Sequence, residues 1–81
     1  MKRESRYMVK DKNLIFGENL KRTIREQGMN QTEFARKIGI NHVTLSRYVS
    51  GINSPKPDYL KRIVDALGVT VEYLYSVEEG E

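Results

Sequence analysis

The chain has 81 residues, 38% hydrophobic and 31% charged, with a formal net charge of +3. That length allows one domain with a thin core, burying roughly 60% of its unfolded surface, and no apolar run approaches the ~20 residues that span a bilayer. Cysteine is absent and His42 is the single histidine, which excludes disulfides and thiolate metal sites and leaves no zinc ligand set. No metal or cofactor is expected. Without a glycine-rich phosphate loop or a pair of carboxylates expected in a cleft, no enzyme activity is expected either. The start is basic but lacks the apolar core of a secretory signal, and the cytoplasm is the expected location.

The charges are unevenly placed. Residues 1–62 carry all 14 Lys and Arg against six acids, a net +8, while residues 63–81 carry five acids and no Lys or Arg, a net −5. A polyanion is drawn to the first part and repelled by the last. Solvated surface charge produces the same imbalance in many domains, so charge alone only inclines the reading toward nucleic acid.

In chain order, residues 1–12 show no apolar period. They read as a basic flexible arm, either frayed in solvent or reaching a phosphate or a minor groove. Asn13 suits the N-cap of a first helix running to about Gln27. In that helix Phe16, Leu20 and Ile24 repeat every four residues as one apolar stripe, with Lys21, Arg22 and Arg25 off it. Gly28 ends the helix and Met29 returns to the core.

The next stretch, NQTEFARKIGINHVTLSRYVSG from Asn30 to Gly51, holds two short amphipathic helices. Asn30 caps the first, about Gln31 to Ile38, and Glu33 stands in the N3 place of a capping box. Phe34, Ala35 and Ile38 face inward, and the small Ala35 allows a close helix crossing. Gly39 takes the turn, because a Cβ disfavours positive φ, and Ile40 plugs the core. Asn41 caps the second helix, about His42 to Ser50. Leu45, Tyr48 and Val49 form its inner stripe, and His42, Val43, Ser46 and Arg47 its outer face. A valine on that face suits a thymine methyl group, or is a partly covered helix residue. The whole has the pattern of a helix-turn-helix, whose second helix enters a major groove.

Beyond Gly51, residues 52–56 form a loop. Pro57 suits the first position of a fourth helix and Asp58 its first turn. Leu60, Ile63, Val64 and Leu67 form its apolar face, and Gly68 ends it. Thr70 caps a short fifth helix, about Val71 to Tyr75, with Leu74 inward. Residues 77–81 form an acidic tail. The expected fold is all-α, a five-helix domain over residues 13–76 with no sheet.

Four motifs now stand in order: NLKRTIREQG, NQTEFARKIGI, NHVTLSRYVSG, and P-x-x-x-x-L-x-x-I-V-x-A-L-G-V from Pro55. Together they span Phe16 to Leu74, and in them the chain closely resembles the phage lambda-repressor/Cro-like, or Xre, helix-turn-helix family. The resemblance implies a compact five-helix domain that binds duplex DNA, usually as a symmetric dimer on a palindromic operator. It implies that Gln31 bonds a phosphate and braces the start of the recognition helix. It places Asn41, His42, Val43, Thr44 and Arg47 against bases or flanking phosphates, and Asn53 and Lys56 in a second backbone-contact region. One departure stands out. Many relatives pair an Arg in helix one with a Glu near the end of helix three, where this chain has Ile24 and Val49. An apolar pair avoids the desolvation cost of a buried ion pair.

The expected function is therefore a sequence-specific transcriptional regulator, a repressor of phage, prophage or mobile-element type. Base contacts are expected from Asn41, His42, Val43 and Arg47. Arg47 is long enough for a bidentate bond to guanine, worth roughly 1–3 kcal/mol of discrimination; His42 meets a purine acceptor or a phosphate, or stays unpartnered. Phosphate contacts are expected from Gln31, Thr44, Arg22, Arg36, Asn53 and Lys56, helped by the helix N-termini at Gln31 and His42. For Arg36 and Lys37 a solvated face is equally open. A homodimer is expected through Val71, Tyr73, Tyr75 and Val77, apolar or aromatic residues with little domain left to cover them.

Two rival readings keep the fold. An antitoxin would bind DNA with the same face and a partner protein with its tail. A protein-interaction module would present an acidic or apolar face, unlike this one of Asn, His, Val, Ser and Arg. RNA binding would call for an aromatic platform, and most tyrosines lie off the basic face.

Overall fold

A computed structural model describes residues 11–77, which form five α-helices. They are α1 (Lys12–Glu26), α2 (Gln31–Ile38), α3 (His42–Val49), α4 (Pro57–Leu67) and α5 (Val71–Leu74). Of the arm expected over residues 1–12, residues 1–10 lie outside the described residues, as do residues 78–81 of the acidic tail, while Asp11 and Lys12 belong to the start of α1.

Local chemistry sets the helix starts. Asn30 and Glu33 complete the capping box: Asn30 Oδ1 accepts from the Glu33 N–H at 2.8 Å, and Glu33 Oε1 from the Asn30 N–H at 2.9 Å. Asn41 Oδ1 accepts from the Val43 N–H at 2.7 Å, and Thr70 Oγ1 from the Tyr73 N–H at 3.0 Å. The start of α1 differs from the expectation. Asp11, not Asn13, is its N-cap, its Oδ1 accepting from the Asn13 N–H at 2.7 Å. Asn13 lies inside the helix, and its Oδ1 instead accepts from Ser54 Oγ at 2.6 Å. That bond ties the start of α1 to the loop after α3.

The helix ends follow one scheme. Met29, Ile40, Ile52 and Val69 each donate a backbone N–H to the carbonyl five residues earlier, at 3.0–3.2 Å. Met29, Ile40 and Val69 then turn toward the core. Ile52 does not; it stays 63% exposed.

Core residues come from every helix: Phe16, Leu20 and Ile24 of α1, Phe34 and Ala35 of α2, Leu45 and Tyr48 of α3, Ile63 and Leu67 of α4, and Leu74 of α5. Ile40 plugs the turn between α2 and α3. Val49, Leu60 and Val64 pack at the core's edge. α1 is the hub, packing against α2, α3 and α5. Its tightest approach is at Gly17, buried inside the helix, where an added Cβ would overlap the carbonyl oxygens of Tyr48 and Val49 at the end of α3.

Polar groups complete the joints. A helix leaves its last carbonyls without partners, and here side chains from other helices meet them. Asn19 of α1, itself buried, donates its Nδ2 to Leu74 O at 2.8 Å and Ser76 O at 2.9 Å. Gln27 Nε2 donates to Leu67 O at 2.8 Å. Arg62 of α4 reaches Ile38 O at 3.4 Å and Gly39 O at 3.3 Å, in the turn between α2 and α3.

The Gly17 contact generates a prediction. Alanine ordinarily favours a helix interior over glycine by about 1 kcal/mol. At position 17 overpacking against backbone should outweigh that gain, so Gly17→Ala should lower stability by about 1–3 kcal/mol. Gly28→Ala meets no neighbour, and its cost should be only the roughly 1–2 kcal/mol of a left-handed alanine. Urea unfolding of both variants checks this. A stabilised Gly17→Ala variant would mean that α1 does not seat against α3.

Candidate nucleic-acid interface

α3 carries its polar groups outward because Leu45 and Tyr48 hold its other side in the core. Asn41, His42, Val43 and Arg47 are all exposed, Val43 to 51%. Among the described residues Arg47 forms no ion pair. Its guanidinium is therefore available to a partner from outside. Asn41 is different: its Oδ1 accepts from the Val43 N–H at 2.7 Å, which ties its side chain to the start of α3.

Two concavities bear on the helix-turn-helix, one beside this face and one at the start of α2. The larger, about 700 Å³, opens between α3, the loop after it and the start of α4. Thr44, Arg47, Asn53 and Lys56 share it, with Ile52, Ser54 and the two tyrosines Tyr48 and Tyr59. The smaller, about 270 Å³, lies where α1 meets the start of α2. Gln31 and Asn30 line it together with Lys21 and Arg25, above Ile24 and Met29. Lys21 and Arg25 stand one turn apart beside the N-terminus of α2, an arrangement of charge and helix dipole that favours an anion.

The structure thus gathers some sequence candidates and separates others. Thr44, Asn53 and Lys56 share one groove, and Gln31 sits in the second concavity. Arg36 is exposed in the last turn of α2 and lines neither. Arg22 is half-buried and stands 3.9 Å from Glu26, while Lys21 and Arg25, on the adjacent strip of α1, face Gln31. The helix period of α1 carries this signal, since residues 21 and 25 are one turn apart and residue 22 points about 100° from residue 21 and about 60° from residue 25. Of the four residues expected at a dimer contact, Val71, Tyr73 and Val77 are exposed. Tyr75 instead turns inward, its ring 4.9 Å from that of Phe16, and burial raises its hydroxyl above the ordinary tyrosine value.

The larger groove has a braced wall that sequence reasoning missed. Burial raises the Tyr48 hydroxyl above the ordinary tyrosine value, opposed in part by a hydrogen bond with the Lys56 backbone. The rings of Tyr48 and Tyr59 lie 6.5 Å apart. Arg62 lies over Tyr59 at 5.2 Å, and its guanidinium also reaches the turn after α2. One arginine therefore links the groove wall to the helix-turn-helix turn.

No group of three or more His, Cys, Asp or Glu among the described residues could hold a metal. No helix there is long and apolar enough to cross a membrane.

Two short helices joined by a tight turn, the second held outward-facing by a five-helix core, define a helix-turn-helix DNA-binding domain. A family model described as helix-turn-helix matches residues 20–74, more than half of the chain. The chain belongs to this family, the Xre/lambda-repressor-like helix-turn-helix proteins, and is a DNA-binding regulator of that class. No curated protein and no solved structure matches the chain.

The second concavity generates a prediction about phosphate contacts. Each lost contact should flatten the fall of log K with log salt by about 0.9. Lys21→Ala and Arg25→Ala should each do so, and Arg22→Ala should leave the slope near that of the unchanged protein. Titrations of labelled duplex DNA at several salt concentrations measure it. The reverse ranking would assign the phosphate to Arg22.

Proposed function

We propose that this chain is a sequence-specific transcriptional repressor that binds a palindromic operator as a two-fold dimer, with α3 of each copy in a major groove. The observation that carries the reading is the outward face of α3. It combines a half-exposed valine, an exposed histidine and an arginine that has no ion pair among the described residues, on a helix whose other side is locked in the core. A methyl-reading apolar group beside long hydrogen-bonding groups suits the edges of base pairs. His42 at the helix start and Arg47 five residues on fit base contacts, with Val43, one turn before Arg47, against a thymine methyl. Asn53 and Lys56 line the groove beside α3, and Lys21, Arg25 and Gln31 the concavity at the start of α2; in this reading both meet the backbone that runs past a helix in the groove.

A dimer follows from information content, because one short helix reads too few base pairs to be selective. The exposed Val71 and Tyr73 of α5, with Val77 beyond it, offer an apolar surface for a second copy. In that arrangement the half-sites stand about one helical turn apart.

Selection from a random duplex pool tests the reading. It should enrich a palindrome with half-sites ~10 bp apart. Arg47→Ala should then weaken binding to that palindrome by roughly 10- to 100-fold, the worth of a bidentate guanine contact, and weaken random DNA far less. Equal loss on both would make Arg47 a phosphate contact. Tyr73→Glu should lower self-association in sedimentation and weaken palindrome binding while leaving single half-sites nearly unaffected. A chain that stays monomeric both free and on DNA would remove the dimer, and a co-purifying second protein would favour an antitoxin role.

A further inference from the structure

The two ends of α3 are held by different means. Its last carbonyls meet Gly17 of α1 with no side chain between them. Its start, which carries His42 and Val43, lies roughly 10 Å along the axis from that seat. What holds the start is the turn before it. Ile40 plugs the turn into the core, but the burial of an apolar side chain is non-directional. It sets depth rather than orientation. Arg62 of α4 supplies the directional contact. Its Nη1 donates to Ile38 O at 3.4 Å and to Gly39 O at 3.3 Å, two carbonyls at the negative end of the α2 dipole.

The Arg62 side chain is itself fixed. Its Nη2 meets Asp58 Oδ2 at 3.4 Å, one turn earlier on α4. Its guanidinium lies over the Tyr59 ring, 5.2 Å from the centroid. That ring stands 6.5 Å from the ring of Tyr48, which is buried in α3. One residue of α4 therefore touches the end of α2 directly and reaches α3 through Tyr59. Both terminal nitrogens have partners inside the fold, and a carboxylate meets the charge. Arg47, by contrast, has no ion pair among the described residues. Polar contacts this exposed add little stability. What they add is direction, because a hydrogen bond weakens steeply off its preferred angle.

We infer that Arg62 is a positioning residue for base reading: it touches no DNA, and it fixes the turn so that α3 does not pivot about its seat at Gly17. The inference rests on the DNA-binding reading above. In a pivot the start of α3 swings furthest. His42 and Val43 lose register with their bases first, and Arg47, nearer the seat, last. Phosphate contacts carry no sequence information, so binding to random DNA is the part that survives.

The test compares the full chain with Arg62→Ala and Arg62→Lys, on the duplex enriched by selection and on random duplex of equal length. A loss of folded protein lowers both affinities by one factor, so their ratio reports geometry alone. Arg62→Ala should cut that ratio roughly three- to tenfold, less than the loss of a whole bidentate base contact. The salt slope and the unfolding midpoint should stay nearly unchanged. Selection repeated with Arg62→Ala should flatten the preference at the positions that Val43→Ala also flattens, and keep it where Arg47→Ala acts. Arg62→Lys keeps the charge but not the planar fork that spans helix end and ring, and should lose the ratio as Arg62→Ala does. A slope flatter by about 0.9, with both affinities falling alike, would make Arg62 a phosphate contact and overturn the inference. An unchanged ratio in Arg62→Ala, or its full recovery in Arg62→Lys, overturns it as well. In each of these cases the unchanged protein still binds its duplex and the DNA reading stands. If the unchanged protein enriches no duplex at all, the DNA reading itself fails and this inference with it.

Discussion

The position of α3 is set by backbone meeting backbone. At Gly17 nothing but a hydrogen stands between α1 and the last carbonyls of α3. The depth at which α3 sits is therefore not a matter of side-chain choice. Everything the outward face does follows from that seat. Phe16, Leu20 and Ile24 extend the same strip of α1 along the core. Leu45 and Tyr48 are buried because α3 lies close enough for them to reach it. A side chain at position 17 would lift the end of α3, and with it the groove that Tyr48 and Arg47 help to form. In a domain this small few other contacts stand ready to absorb such a shift.

Around that seat the domain resolves a problem common to short helices. Eight-residue helices such as α2 and α3 leave a large share of their backbone groups without internal partners. Here neighbouring helices supply those partners. Gln27 meets the end of α4, Asn19 the end of α5, and Arg62 the end of α2. Each such bond contributes about 1 kcal/mol net, but leaving a buried carbonyl unmet costs more. The same bonds fix angles between helices, which matters for a protein that must hold α2 and α3 in one geometry against a rigid partner. The Arg62 link joins the turn of the helix-turn-helix to the groove wall through Tyr59.

Much of this was legible in the residues. Asn30 with Glu33, Asn41, Pro57 and Thr70 each mark a helix start by local hydrogen bonding or fixed φ, and the four-residue stripe of α1 names its buried side. Those signals act within a few residues of the chain. What stayed hidden depends on contacts far apart in sequence. Asn13 looks like a cap, but Asp11 takes that place, and the Asn13 side chain instead meets Ser54, forty-one residues on. Asn19 looks like a surface amide until α5 packs over it. Tyr75 looks like part of an apolar tail surface until its ring meets Phe16. Gly17 was the one hidden feature with a local sign, since a glycine inside a strong helical stripe costs about 1 kcal/mol and asks for a packing reason. Among the candidate site residues, the outward face of α3 was readable from periodicity, whereas the grouping of Lys21 and Arg25 with Gln31 needed the crossing of α1 and α2.

The clamp on α5 has a consequence for how such a protein can diversify. Asn19 grips the main-chain oxygens of Leu74 and Ser76 rather than any side chain of that segment. Every residue type presents the same oxygen there. Apart from Leu74 and the Tyr75 ring, the segment can therefore change its outward residues through many substitutions without losing its mooring. Such a surface is free to drift in evolution while the helix-turn-helix half of the molecule stays as it is.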